Sequence, residues 1–138
     1  VPIATFYRVN QRVAKDWRDN RVLLAGDAAH VNNPLGAFGL NGGLHDAMNL
    51  AEKLGKVWRK EADVSLLDRY VRQRRTTNIE FVQANSIRNK RMLEENEPAV
   101  RAQPYDELRA QAPDPKSALP FLMQSPMMMS LRRAAEIE

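Results

Sequence analysis

The sequence predicts a mostly helical α/β fold in which two short strands precede a run of helices. The first observation behind this prediction is the apolar run Val22–Ala25, which ends at the pair Gly26-Asp27. The second is a loop rich in glycine and proline directly after that pair. The third is the helical spacing of apolar residues that begins near residue 41.

Both strands are predicted in the first 25 residues. Between Ile3 and Val13, β-branched and aromatic side chains dominate in an alternating pattern that is typical of a strand. A turn at Asp19-Asn20 then leads to the second strand, Val22–Ala25. Because this strand is apolar on both faces, we expect it to be buried on both sides, with its carboxyl end opening into a ligand crevice.

The loop and the first helix follow this strand. Residues 31–40 contain two asparagines, a proline and two glycines, which are too many breakers for a helix or a central strand. A helix is predicted from about Asn41, because apolar residues recur every three or four positions in one stripe: Leu44, Ala47, Met48, Ala51, Leu54 and Trp58. Asp46, early in this helix, is expected to support the helix start.

Further helices account for the rest of the chain. A second helix is predicted from a capping Ser65 to about Glu95, and its basic side chains are interpreted as a solvated face rather than a phosphate-binding stripe. These side chains are Arg69, Arg72, Arg74, Arg75, Arg88, Lys90 and Arg91. Prolines at first-turn positions predict three more helices, which begin near Pro98, Pro115 and Pro126.

The composition narrows the classes of function. The 138 residues are 43% hydrophobic and 28% charged, as in an ordinary globular domain. Cysteine is absent, which excludes disulfides and thiolate chemistry and favours a cytoplasmic location. The net charge of +4 gives little reason to expect nucleic-acid binding, and no apolar run is long enough for a membrane span. His30 and His45 alone make no metal site, and we assign His30 a structural role rather than acid-base catalysis.

The Gly-Asp pair and the glycines after it indicate a ligand site. The Asp27 carboxylate can accept hydrogen bonds from the hydroxyls of a polyol, but it can equally cap the turn that follows. Gly36, Gly39, Gly42 and Gly43 let a flat ligand approach the backbone closely. The N–H groups at the helix start point toward an anion or a developing negative charge. These features favour a charge-accepting ring with a polyol chain.

Special positions recur from residue 21 to residue 54 in a fixed order. They are Gly26-Asp27-Ala28-Ala29-His30, Pro34, Gly36, Gly39, Asn41-Gly42-Gly43, Asp46-Ala47, Asn49-Leu50 and Lys53-Leu54. This set resembles the second FAD-binding motif of the flavin-dependent aromatic hydroxylases, the single-component monooxygenases similar to para-hydroxybenzoate hydroxylase. A Tyr-x-x-x-Arg-Arg pattern at Tyr70, Arg74 and Arg75 extends the resemblance more weakly.

The resemblance implies a fold and a division of the chain. The fold would be the C-terminal part of an FAD/NAD(P)-binding, Rossmann-like fold. Residues 1–60 would be the C-terminal part of the FAD-binding domain, which carries the Gly-Asp flavin motif. Residues 61–138 would form a helical C-terminal region.

The resemblance also implies roles for individual residues. Asp27 would bind the ribitol hydroxyls of FAD, and the backbone of Leu40 and Asn41 would face the N1 and O2 edge of the flavin. Pro34, the one catalytic assignment, would lie beside the reactive face of the flavin with its carbonyl near the substrate hydroxyl. Three glycines complete the cofactor-binding set: Gly26, Gly36 and Gly39. No metal is implied.

A reaction follows from the same resemblance. In this family NAD(P)H reduces the flavin, O2 forms a flavin C4a-hydroperoxide, and one oxygen atom is transferred to an aromatic ring. The resemblance therefore implies a share in an FAD-dependent monooxygenase that hydroxylates a small aromatic substrate. Flavin-dependent halogenation or epoxidation is the alternative within this class, and a homodimer is compatible with either.

The rest of the family pattern is absent from the sequence. No Gly-x-Gly-x-x-Gly follows a strand, and the chain opens with Val1-Pro2-Ile3 rather than methionine. We therefore expect a C-terminal portion that requires a missing N-terminal FAD-binding portion and is inactive alone. The competing hypothesis is a non-catalytic helical interaction fragment that retains the motif as a relic of the fold. Its Val22–Ala25 strand would lack sheet neighbours and would pair between copies.

Overall fold

The computed structural model describes residues 8–123 and 126–138, in which short strands are followed by helices. The strands are β1 (Arg12–Val13), β2 (Arg18–Asp19), β3 (Val22–Leu23) and β4 (His30–Val31). The helices are α1 (Phe38–Trp58), α2 (Leu66–Thr77), α3 (Ala84–Glu94), α4 (Pro98–Gln111), α5 (Pro115–Met123) and α6 (Pro126–Glu136). This order confirms the predicted fold class, a mostly helical chain with a few short strands first.

The strands form two small antiparallel pairs. β1 pairs with β4, and β2 pairs with β3 in a hairpin. Residues 3–7 of the first predicted strand lie outside the described residues, and only β1 is strand in the part that is described. This part of the chain has no parallel pairing.

The second predicted strand is shorter and more exposed than expected. The strand is limited to β3, and one further hydrogen bond of the hairpin follows it, from the N–H of Leu24 to the carbonyl oxygen of Trp17 at 2.9 Å. Val22 is 64% exposed, so the expectation of burial on both sides is wrong. The pairing of β3 with β2 also corrects the expectation that this strand would lack a neighbour.

The helices begin close to their predicted positions. α1 begins at Phe38, three residues before the predicted start, after Ala37 takes a left-handed φ of 55°. α2 and α3 are joined by a π-helical segment, Asn78–Gln83, and together they confirm the long second helix. The predicted Ser65 cap is wrong because its side chain makes no capping hydrogen bond. Instead, the Ser65 N–H donates to Asp63 Oδ1 at 2.9 Å.

The core joins the hairpin to α2. Trp17, Ala29 and Tyr70 form its buried centre. The Trp17 ring stacks on the ring of His30, with centroids 5.5 Å apart. The Tyr70 hydroxyl donates to the carbonyl oxygen of Leu24 at 2.6 Å. These contacts fix the chain on both sides of the Gly26-Asp27 pair against α2.

The apolar stripe of α1 lies on the outside of the described structure. Four of its members are well exposed: Leu44 by 53%, Met48 by 73%, Leu54 by 45% and Trp58 by 84%. The buried positions of the helix are Phe38, Gly42, Asp46 and Lys53. The buried face of the helix therefore includes two charged residues, Asp46 and Lys53, whereas the apolar stripe is exposed. No helix within residues 8–123 and 126–138 has both the length and the hydropathy needed to cross a bilayer.

Candidate functional site

The loop and the start of α1 enclose a surface pocket of about 480 Å³. Five residues predicted to bind the cofactor line it: Asp27, Pro34, Gly39, Leu40 and Asn41. Two others, Gly26 and Gly36, lie in the adjoining turns and are not part of the lining. The structure thus brings most of the predicted set together in one place.

Asp27 presents an exposed carboxylate beside this pocket. It lies in a single turn of 3-10 helix, Gly26–Ala28, between β3 and β4. Among the described residues, no protein group donates a hydrogen bond to the Asp27 side chain, and the turn has no side-chain cap. The alternative in which Asp27 caps the turn is therefore not what the structure shows. An exposed carboxylate needs no protein partner, because water or a ligand can solvate it.

Pro34 and Gly36 shape the loop before α1. The carbonyl oxygen of Pro34 accepts the N–H of Ala37 at 3.1 Å, which closes a tight turn. Gly36 has a φ of 108°, and a Cβ atom there would overlap the Phe38 ring. Glycine is thus required at position 36 by both the dihedral angle and the available space.

The first turn of α1 points toward the pocket without a cap. Ala37, the residue before the helix, makes no side-chain capping hydrogen bond. The first-turn N–H groups, including those of Gly39 and Leu40, have no acceptor within the helix. They carry the positive end of the helix dipole. This end of α1 is therefore suited to negative charge.

Asn33 organises the loop, a role that the sequence pattern does not predict beyond its effect as a breaker. Its side-chain Nδ2 donates to Gln11 Oε1 at 2.9 Å and to the Ser86 carbonyl oxygen at 3.0 Å. Its Oδ1 accepts the N–H of Leu35 at 3.0 Å. The sequence signal for this role was an asparagine two residues before a turn position, which is where an Asx turn forms.

A buried ionic cluster lies behind the pocket, centred on Asp46. One oxygen, Oδ2, accepts the N–H of Gly26 at 3.0 Å and lies 2.8 Å from His30 Nε2. The other, Oδ1, accepts Arg74 Nε at 2.8 Å. Both Asp46 and Arg74 are almost fully buried, with 0% and 1% exposure.

This cluster corrects two expectations. Asp46 lies eight residues beyond the helix start, so it does not support that start. Arg74 is buried, so the solvated-face interpretation is wrong for it, although it holds for the exposed Arg72 and Arg88. His30, 2% exposed and in contact with Asp46, is buried within the protein, in agreement with a structural role.

The Asp46 carboxylate is ionised in this surrounding. Burial alone would raise its pKa, but the hydrogen bonds from His30 and Arg74, the Arg74 charge and the Gly26 N–H outweigh it and lower the pKa. Burial raises the pKa of Tyr70 well above its usual value, and the Asp46 charge adds to this. The Tyr70 hydroxyl therefore remains a donor to Leu24.

A larger pocket of about 790 Å³ lies between α1, α2 and α6. Its lining includes Lys53, Arg69 and Arg74 and none of the predicted cofactor-binding residues. Within the part of the chain that the structure describes, no three His, Asp or Glu side chains are placed to hold a metal ion. The predicted cofactor-binding site is therefore the smaller pocket, which five of the predicted residues line.

Comparison with known proteins shows the family of the chain. Residues 3–85, more than half of the chain, match the FAD binding domain. The chain belongs to this FAD-binding family. It is 45% identical over 95 residues to para-nitrophenol 4-monooxygenase from Pseudomonas sp. (strain WBC-3), covering 69% of this chain and 24% of that protein. It is 47% identical over 77 residues to tetracenomycin B2 monooxygenase-dioxygenase from Streptomyces olivaceus, covering 56% of this chain and 14% of that protein.

A solved structure shows the same likeness. The crystal structure of p-nitrophenol 4-monooxygenase from Pseudomonas putida DLL-E4 matches with a TM-score of 0.79 and 38% sequence identity. The match covers 88% of this chain and 32% of that protein. The resemblance to flavin-dependent aromatic hydroxylases is confirmed. The chain spans about a quarter or less of the length of the two curated relatives.

Proposed function

We propose that this chain forms the ribitol and isoalloxazine half of the FAD site in a monooxygenase that hydroxylates an aromatic small molecule. NAD(P)H would be the reductant and O2 the second substrate. One observation carries the proposal. The exposed Asp27 carboxylate, which no described protein group binds, shares a pocket with Pro34 and the uncapped first turn of α1.

The residues of the pocket fit the two chemically different parts of this half of FAD. Asp27 is an acceptor for the ribitol hydroxyls. The first-turn N–H groups, that of Leu40 among them, are donors for negative charge on the ring edge. Pro34, which has no N–H, offers an apolar ring at the mouth of the pocket.

Bound FAD supplies the electron transfer and O2 activation that no side chain of the pocket provides. The chain's own residues bind and orient it and keep water from its reactive side. The Pro34 carbonyl already accepts the Ala37 N–H, and its second lone pair remains available to a substrate hydroxyl. The name of the para-nitrophenol 4-monooxygenase relatives supports an aromatic ring as the substrate.

The remainder of the FAD-binding domain is the proposed partner of the exposed α1 stripe. The relatives are several times longer than the matched segment, so most of their chain lies outside it. An apolar face of this extent on a helix favours burial against protein. The N-terminal FAD-binding portion, which would hold the ADP part of the cofactor, is the partner of matching chemistry. Leu44, Met48 and Trp58 would then be buried in the complete polypeptide.

The substitution Asp27→Ala tests the proposed function in the complete polypeptide that carries this chain. Loss of charge-assisted hydrogen bonds to the ribitol is expected to raise the Kd for FAD about tenfold or more. Asp16→Ala is the matched control, because Asp16 is also exposed and does not line the pocket. The Kd would be measured by quenching of flavin fluorescence.

Two results would contradict the proposal. One is a complete polypeptide that purifies colourless and binds no added FAD. The other is an Asp27→Ala variant whose FAD affinity equals that of Asp16→Ala. Consumption of NAD(P)H and O2 with candidate phenols would then test the reaction itself, since it measures reductant, oxidant and aromatic product together.

A further inference from the structure

The proposed flavin contacts lie on two separate segments of the chain. Asp27 is in the Gly26–Ala28 turn, whereas Leu40 is in the first turn of α1. A ligand that touches both requires a fixed distance between them. The contacts between the turn and α1 therefore bear directly on the site.

Backbone packing brings the turn onto α1 without an intervening side chain. A Cβ atom at Gly43 would lie 3.4 Å from the Gly26 Cα, and one at Gly42 would lie 3.3 Å from His30 Cε1. Gly26 has a φ of 59°, which favours glycine. This close packing brings the turn near α1 but does not by itself fix its orientation.

Asp46 holds both ends of the segment that contains Asp27. Its Oδ2 accepts the Gly26 N–H at 3.0 Å on one side of Asp27, and lies 2.8 Å from His30 Nε2 on the other. Its Oδ1 is held at 2.8 Å by Arg74, which belongs to α2. The carboxylate cannot rotate without breaking one of these contacts. Arg74, which does not line the proposed flavin pocket, thus helps to fix the orientation of the Asp46 carboxylate.

We infer that Asp46 is a positioning residue for the flavin site, which fixes the Asp27 turn relative to the first turn of α1 through its bonds to Gly26 and His30. Asp46 and Leu40 belong to the same helix, about 9 Å apart along its axis. The helix is rigid over this distance, so a turn held by Asp46 is also held relative to Leu40. This inference rests on the proposed function, in which both segments contact FAD.

The experiment compares two variants of the complete polypeptide that carries this chain. Asp46→Asn keeps the shape of the side chain, but it removes the negative charge and leaves one acceptor oxygen in place of two. Arg74 on one side, and Gly26 with His30 on the other, then compete for that oxygen, so the side chain no longer holds α2 and the turn together. Leu67→Ala is the control for a general loss of stability, because Leu67 is buried in α2 two turns before Arg74. Both are measured at a temperature at which circular dichroism shows them folded. A protein that is merely less stable but still folded keeps its intrinsic affinity.

Two readouts are expected to change in Asp46→Asn and not in Leu67→Ala. The Kd for FAD should rise at least tenfold, against less than twofold in the control. The amide of Gly26 should exchange with solvent at least tenfold faster in the flavin-free protein, because it has lost a fixed ionic acceptor. If Asp46→Asn does not fold, Arg74→Lys replaces it, with at least a threefold change expected in each readout.

The outcomes separate this inference from the proposed function. An unchanged Gly26 exchange rate, or an FAD affinity equal to that of Leu67→Ala, overturns the role of Asp46 alone. Absence of FAD binding in the unsubstituted protein overturns the proposed function. The exchange rate of Gly26 still decides in that case whether Asp46 holds the turn.

Discussion

The two faces of α1 are reversed relative to those of an ordinary surface helix, because charged residues lie on the buried face and apolar residues lie on the exposed face. The face that packs on α2 carries Asp46 and Lys53, whereas the outer face carries Leu44, Met48 and Trp58. A helix at the edge of a complete domain usually buries its apolar stripe. The inner face holds the Gly26–Ala28 turn through Asp46, whereas the outer face is suited to pack against a further protein surface.

Both charged residues on the inner face have hydrogen-bond partners, whereas the buried Nδ1 atoms of His30 and His45 have none among the described residues. Asp46 has three partners, Gly26, His30 and Arg74. Lys53 Nζ donates to Asn49 Oδ1 at 2.8 Å, and Asn49 Nδ2 donates to Gln73 Oε1 at 3.1 Å. Burial lowers the pKa of Lys53, and the neighbouring cations add to this effect. Polar burial is tolerated where each charge has such partners.

Among the substitutions that test the difference between the two faces, Asp46→Ala is expected to change the free energy of unfolding most. Removing one member of a buried pair leaves Arg74 uncompensated, which is expected to lower the free energy of unfolding by about 3–5 kcal/mol. Asp68→Ala is the matched control, because Asp68 forms an exposed pair with Arg18 and its loss should cost less than about 1 kcal/mol. Urea unfolding measures both. Similar losses in the two variants would show that the inner face does not depend on Asp46.

Local patterns in the sequence predicted the loop and most of the helices. The breakers between Val31 and Leu40, and the prolines that begin α4, α5 and α6, act on the backbone within a few residues. Asp27, Pro34 and Leu40 lie within fourteen consecutive residues, so their presence in one pocket also follows from local structure. Such features need no knowledge of the rest of the fold.

Contacts between distant residues could not be predicted in the same way. Asp46 meets Gly26 across 20 residues and Arg74 across 28. A charged residue that is buried by a partner has the same sequence pattern as one on a solvated face, which explains the error at Arg74. Periodicity shows that α1 has an apolar stripe, but it does not show what covers that stripe.

A second prediction concerns the outer face of α1. If Leu44 is covered by the remainder of the FAD-binding domain, Leu44→Gln in the complete polypeptide should lower the free energy of unfolding by about 2 kcal/mol. Glu52→Gln is the control on the same helix, with an exposed side chain and an expected change within about 0.5 kcal/mol. A Leu44→Gln variant as stable as this control would mean that the outer face remains in contact with water.

The smallest expected effect is on the pH dependence of the free energy of unfolding. It arises from Asp46 on the inner face and from no residue of the outer face. The pKa of Asp46 is lower in the folded protein than its ordinary value of 3.8, because its partners outweigh burial. The unfolded chain therefore takes up the proton first as the pH falls. The contribution of Asp46 is complete above the unfolded pKa and is lost as the pH falls toward the folded one.

Asp46→Asn removes this titration, so its free energy of unfolding should fall less steeply below about pH 5 than that of the unsubstituted protein. Leu44→Gln, on the outer face, should keep the unsubstituted slope because it removes no titrating group. Urea unfolding at several pH values measures the three slopes. Parallel curves for Asp46→Asn and the unsubstituted protein would mean that the Asp46 pKa does not change on folding. The paired inner face would then owe its stability to packing rather than to charge.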